Sequence, residues 1–210
     1  MKTSCPKFLE NPEDKGNKIP YKNMNILDKV LMKNIVPPIS KTLYNLNVTP
    51  NIVTISGFLI RLYSFYLFNN KKCWESASLW GIGYILDCVD GHMARKYDQE
   101  TILGDFLDHG SDIITMLILV YFMWKMAKGK YKYLFIILIL FILITCISLT
   151  LQEQYTFCNN TQSNNKAMIT IPYNFPKKNL ENIPLWADIF GCGSNQLYVC
   201  IMMYIICKYS

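Results

Sequence analysis

The chain has 210 residues, 51% of them hydrophobic, and a formal net charge of +6. Apolar residues at that density, gathered into long runs, exclude an ordinary soluble domain and with it a soluble nuclease or nucleic-acid-binding module; the positive charge suits an anionic lipid surface. The eight cysteines show no C-x-x-C pairing and no zinc-ligand spacing, so buried reduced thiols are expected rather than a disulfide framework.

Residues 1–22 form a polar N-terminal segment without the early apolar stretch of a cleavable signal, and residues 23–210 read as a single membrane domain. Between 24 and 46, Leu27, Val30, Leu31, Ile35, Ile39 and Leu43 recur at three- and four-residue steps among Lys29, Lys33 and Lys41. That pattern predicts an amphipathic helix at the membrane surface or packed on protein, broken near Pro37-Pro38. A first span is expected from Pro50 to about Asn69, with proline in the first turn, where its missing N–H costs least. Arg61 lies inside this span, where a charge is expensive. It is a candidate contact for a phosphate or lipid headgroup, with an ion pair or snorkelling as the alternative.

Further spans are expected over about 74–96, 101–126 and 131–152, followed by a polar loop over roughly 153–183. A last apolar segment, about 184–207, is interrupted at Gly191-Cys192-Gly193 and reads as one irregular span or as a re-entrant helix followed by a short one. The fold class is therefore all-α: a polytopic membrane bundle of about five to six transmembrane helices behind an N-terminal interfacial helix. Eight lysines before the first span place the N-terminus in the cytoplasm, although Lys125, Lys128, Lys130 and Lys132 then lie on the other side. The same topology keeps the glycosylation-type sequences at Asn47 and Asn159 cytoplasmic.

The stretch from Asp87 to Asp112 holds seven of the fifteen acidic residues and both histidines, beside strongly apolar sequence. Asp87 and Asp90 are three apart and Asp108 and Asp112 four apart, so each pair projects from one helical face, and Asp105 falls on the face of the second pair. The short connection 97–100 keeps the two helices adjacent, so the carboxylates converge. Clustered anions repel one another, and hard oxygen donors suit Mg²⁺, Mn²⁺ or Ca²⁺, with room for phosphate oxygens as further ligands. Gly91, Ala94 and Gly104 admit a bulky group close to the backbone, and Arg95 offers a guanidinium fork to phosphate.

Read as D-x2-D-G-x2-A-R-x8-G-x3-D-x3-D, the stretch resembles the signature of the CDP-alcohol phosphotransferase family of membrane enzymes. The segment Leu107-Asp108-His109-Gly110, together with Asn25-Ile-Leu-Asp-Lys and Thr49-Pro50-Asn51-Ile-Val-Thr54, is most similar to the choline and ethanolamine phosphotransferase branch, over about residues 20–155. The resemblance implies transfer of a phosphoalcohol from a CDP-alcohol to an acceptor hydroxyl with release of CMP, CDP-ethanolamine or CDP-choline and diacylglycerol being the expected pair. It implies Mg²⁺ or Mn²⁺ held by Asp87, Asp90, Asp108 and Asp112, and nucleotide contacts from Asn51, Thr54, Gly91, Ala94, Arg95 and Gly104. His109 and Asp112 are the two candidates for the base that takes the acceptor proton. Glu153 and Tyr155 are candidates for holding an ammonium headgroup, and His92 is expected to be solvated. A homodimer is the implied assembly. The alternatives are a CDP-diacylglycerol-dependent synthase with an inositol, serine or glycerol phosphate acceptor, and a non-catalytic divalent-cation binder.

Overall fold

In a computed structural model, described for residues 15–17, 24–129, 131–159 and 191–210 and without the side chains of 149–159, helix follows helix with no strand among the described residues. The N-terminal helix begins at Asn25, whose side chain accepts from the Leu27 N–H at 2.7 Å. It runs through α1 (Ile26–Val30), a π-helical turn (Leu31–Ile35) and α2 (Val36–Asn45). The expected break at Pro37-Pro38 does not occur. The widened turn comes just before the prolines, at the carbonyls their rings would otherwise crowd, and α2 restarts with them in its first turn.

Among the described residues five longer helices follow: α3 (Pro50–Asn69), α4 (Cys73–Lys96), α5 (Ile102–Met126), α6 (Tyr131–Asn159) and α7 (Cys192–Tyr209). Three stretches, Pro50–Asn69, Ile102–Met126 and Tyr131–Ser148, are long and apolar enough to cross a membrane. With α4 and α7 packed among them, they make an integral membrane bundle. Of the last apolar segment, the described part is the helix Cys192–Tyr209 with Gly191 at its N-cap, while residues 184–190 lie outside the described residues.

Short turns make α3, α4, α5 and α6 successively antiparallel, so α3 and α5 begin at one end of the bundle and α4 and α6 at the other. Trp80 donates to Gln196 at 2.8 Å, and Cys73 is joined to Cys207, which fixes α4 and α7 as antiparallel. This disulfide corrects the expectation of reduced thiols: spacing along the chain gives no hint of a bond across 134 residues, whereas the helix ends bring the two Cα atoms to 5.4 Å. Among the described residues, Cys88, Cys192 and Cys200 are outside any disulfide.

The core divides along the bundle axis. Toward the disulfide end, Phe65, Phe68, Trp80, Leu119, Met123, Leu138, Met203 and Ile206 are buried together. Toward the other end a smaller cluster forms from Leu31, Val36, Val53, Tyr84, Val89 and Met93. The N-terminal helix thus packs on α4 while exposing Ile26, Val30 and Leu46, so it has both a protein-facing and an outward apolar face. Tyr44 stacks on Tyr97 with ring centroids 3.8 Å apart, fixing α2 to the turn after α4.

Candidate active site

The site lies in a cleft. Helices α4 and α5 share a short turn at Asp98, whose φ of 54° is tolerated well by aspartate, yet both pack on α3 and diverge from each other. Thr101 caps α5 by accepting from the Gly104 N–H at 3.0 Å. Gly104 is small for a packing reason, since a Cβ there would lie 2.7 Å from Asn51 Oδ1 at the start of α3.

Across this cleft the carboxylate oxygens of Asp87, Asp108 and Asp112 lie within 4.8 Å of one another. Asp90 stands beside the three. It lines a pocket with Asp87, Thr54, Gly57, Arg61, Gly83 and Ser111, is 4% exposed, and its Oδ2 has no hydrogen-bond partner among the described residues. Asp105 does not join the group; it turns to His109, with its carboxylate 3.4 Å from Nδ1. The Asp105 carbonyl lies 2.9 Å from the same nitrogen. A carbonyl only accepts, so Nδ1 carries the proton in that bond, and in the neutral imidazole Nε2 is the nitrogen with the lone pair.

Arg61 forms the ion pair that the sequence left as one of its options. It reaches in from α3, donating from Nη1 to Asp112 at 2.7 Å and from Nη2 to Asp87 at 3.1 Å. Gly83 opens the path, because a Cβ there would come 2.6 Å from Arg61 Cγ.

Arg95 is placed differently from the sequence expectation. Its Nε donates to the Gly16 carbonyl at 2.8 Å, and its guanidinium covers Gly91, where a Cβ would lie 3.0 Å from Nη2. The space beside Gly91 is therefore filled by Arg95 itself. Ala94 is half-buried one turn beyond Asp90, and Thr54 is buried with its hydroxyl donating to the Pro50 carbonyl at 3.1 Å. His92 is buried, which corrects the expectation of a solvated residue. Ser40 Oγ donates to Val36 O at 2.8 Å and so accepts from His92 Nδ1 at 3.0 Å. Glu153, Tyr155 and the loop to residue 183 lie outside the residues whose side chains are described.

Sequence reasoning missed Gly57, Gly83 and Ser111 in the pocket wall. Gly83 had a readable signal, four residues before Asp87 on the same helical face. It also missed Asp28, which accepts from the Tyr84 hydroxyl at 2.5 Å and the Gly193 N–H at 3.3 Å and so secures the start of α7 beside the site. Burial raises the Asp28 carboxyl above its ordinary value, against the lowering effect of those two bonds.

A helical membrane bundle with carboxylates from two helices converging at one end is the class that fold and site define. A family model described as CDP-alcohol phosphatidyltransferase matches residues 47–191, and the chain belongs to that family. An archaetidylinositol phosphate synthase of Pyrococcus horikoshii is 39% identical over 74 residues, 35% of this chain and 39% of its own length. Ethanolaminephosphotransferase 1 of Homo sapiens is 33% identical over 82 residues, 31% of this chain and 21% of its own. The matched stretch spans well under half the length of these relatives. No solved structure matches the chain.

The donor set suits the divalent metal that the family implies. Three carboxylates share one small volume, a fourth keeps a buried oxygen without a partner, and all are hard oxygen donors.

Proposed function

We propose that this protein transfers a phosphoalcohol from a CDP-alcohol to an acceptor hydroxyl with release of CMP. The observation that carries the reading is the convergence of Asp87, Asp108 and Asp112 within 4.8 Å, with the unpartnered oxygen of Asp90 alongside. A bound Mg²⁺ or Mn²⁺ would supply Lewis-acid neutralisation of the pyrophosphate charge. Asp87, Asp108 and Asp112 would hold it, with Asp90 on its flank. Asn51 and Thr54 stand at the start of α3 beside Gly104, where they would orient the nucleotide. Arg95 would have to leave the Gly16 carbonyl to reach a phosphate.

His109 is the better-placed base, because its Nδ1–H is committed to the Asp105 carbonyl and its Nε2 is left to accept the acceptor's proton. Asp112 is already engaged by Arg61 and belongs to the ligand set. As the acceptor oxygen forms its bond to the phosphorus carrying the alcohol, the bond to the bridging oxygen breaks and CMP leaves with the electron pair.

The preferred pair is CDP-ethanolamine or CDP-choline with diacylglycerol, on the Asp108-His109-Gly110 segment and the similarity to ethanolaminephosphotransferase 1. The second reading, CDP-diacylglycerol with a soluble alcohol, is favoured by the greater identity to the archaeal synthase. Release of CMP in detergent with Mn²⁺ decides between them, one reaction offering CDP-ethanolamine or CDP-choline with diacylglycerol and the other CDP-diacylglycerol with inositol, serine or glycerol phosphate. Turnover confined to the second mixture reverses the donor; no turnover in either overturns the enzymatic reading and favours a cation binder.

We further propose that the site faces the cytoplasm. The lysine-rich N-terminal segment leads into the site end, and the Cys73–Cys207 disulfide lies at the opposite end, as expected for an oxidising compartment. Glycan on Asn47 or Asn159 in a membrane-translation assay would overturn this orientation.

A further inference from the structure

Arg61 is hard to explain as scaffolding alone. It is 4% exposed in the middle of an apolar span, yet it is extended past a glycine so that two of its nitrogens meet carboxylates from two other helices. Those carboxylates are two of the three that converge across the cleft. A guanidinium fork and a small dication compete for the same lone pairs, since Asp87 Oδ1 and Asp112 Oδ1 are engaged by Arg61 nitrogens at 3.1 and 2.7 Å.

We propose that Arg61 is a built-in counter-cation for the acid cluster, a positioning residue that holds Asp87 and Asp112 together before the divalent ion arrives and must release them as it loads. The proposal rests on the metal-dependent reading above. Three carboxylates this close are stabilised either by protonation or by a nearby positive charge, and Arg61 supplies that charge here by pairing with two of them. The guanidinium has alternative stabilisation at hand: its carbon lies 5.7 Å from the centre of the Trp80 ring, and its Nε has no hydrogen-bond partner among the described residues. The consequence is a site with modest affinity for free metal, in which loading is strengthened when a substrate pyrophosphate brings negative charge for both cations to share.

The test is direct titration of Mn²⁺, followed by electron paramagnetic resonance, on purified full-length chain in detergent with no nucleotide. Arg61→Met and Gly83→Ala are compared with the wild type, the second because its new methyl displaces the Arg61 stem while keeping the charge in the chain. Both variants should bind Mn²⁺ at least about tenfold more tightly than the wild type, since the metal no longer has to displace two charge-assisted hydrogen bonds. Arg61→Lys, which retains a cation without the fork, should fall between them and the wild type.

Binding that is unchanged or weaker in both Arg61→Met and Gly83→Ala, with the wild type still titrating, would overturn the counter-cation role and leave the metal reading intact. Absence of Mn²⁺ binding in every form, matched by Asp108→Asn, would overturn the metal reading and this inference with it. Adding CDP should tighten wild-type binding more than that of Arg61→Met; equal tightening in both would also overturn the proposal.

Discussion

The two ends of this bundle are built on opposite principles. At the disulfide end, Phe65, Phe68, Trp80, Leu119, Met123 and Ile206 are buried together, Ser64 and Ser76 hydrogen-bond between α3 and α4, and Cys73–Cys207 ties the start of α4 to the end of α7. At the site end the helices diverge, glycines replace bulk at 57, 83 and 104, and charged groups on α3, α4 and α5 hold one another. Rigidity at one end is what permits like charges to be held close at the other. A cluster of carboxylates would otherwise relax by moving apart, and the cost of keeping them together has to be met by packing remote from the chemistry.

That division predicts that damage at the two ends should separate cleanly, function from stability. The largest effect is expected at the site end. Asp108→Asn should lower CMP release at least about a thousandfold while leaving the thermal unfolding midpoint nearly unchanged. A comparable loss of folding in that variant would break the comparison.

At the other end, Phe68→Ala, which empties a side chain only 1% exposed, should cost about 3–5 kcal/mol of stability and leave turnover per folded molecule intact. Calorimetry alongside the CMP assay reads both. Removing the covalent tie with Cys73→Ser and Cys207→Ser together should cost about 2–4 kcal/mol, again with kcat preserved. Alkylation of the unreduced wild type should leave these two thiols unlabelled; labelling of both would remove the tie from the comparison.

The smallest predicted effect lies beside the site-end core, at Asp28, which holds Tyr84 and the Gly193 N–H. Burial raises its carboxyl, so the folded chain holds that proton more tightly than the unfolded chain does. Its contribution to stability is therefore full below the ordinary carboxylate value and is lost as pH rises through the raised one. Asp28→Asn should flatten that part of the stability profile, as read from Tm against pH. A profile that keeps its slope would assign it to other groups.

Much of this was legible along the chain because the signals are local. Four aspartates at three- and four-residue steps announce shared helical faces, and the apolar runs give the spans, since a helix crossing a bilayer needs a stretch of fixed length. The N-terminal helix could be read as amphipathic but not placed, because Leu31, Val36 and Ser40 look the same in sequence whether they meet lipid or α4. His92 was misread for the same reason, since it stands between Gly91 and Met93 in sequence while its neighbour in space is Ser40.

By itself, then, the sequence determined the helices, the membrane class, the family signature and the identity of the carboxylates, all of which depend on spacing within about two turns. Only the tertiary structure decided which carboxylates meet, since Asp105 and Asp90 share the right faces yet one turns to His109 and the other to the α3 pocket. Only the tertiary structure, too, joined Cys73 to Cys207 across 134 residues and set Arg61 between Asp87 and Asp112. Such pairings depend on how three helices diverge and on where a glycine lets a side chain through, and neither is written in the period of any one helix.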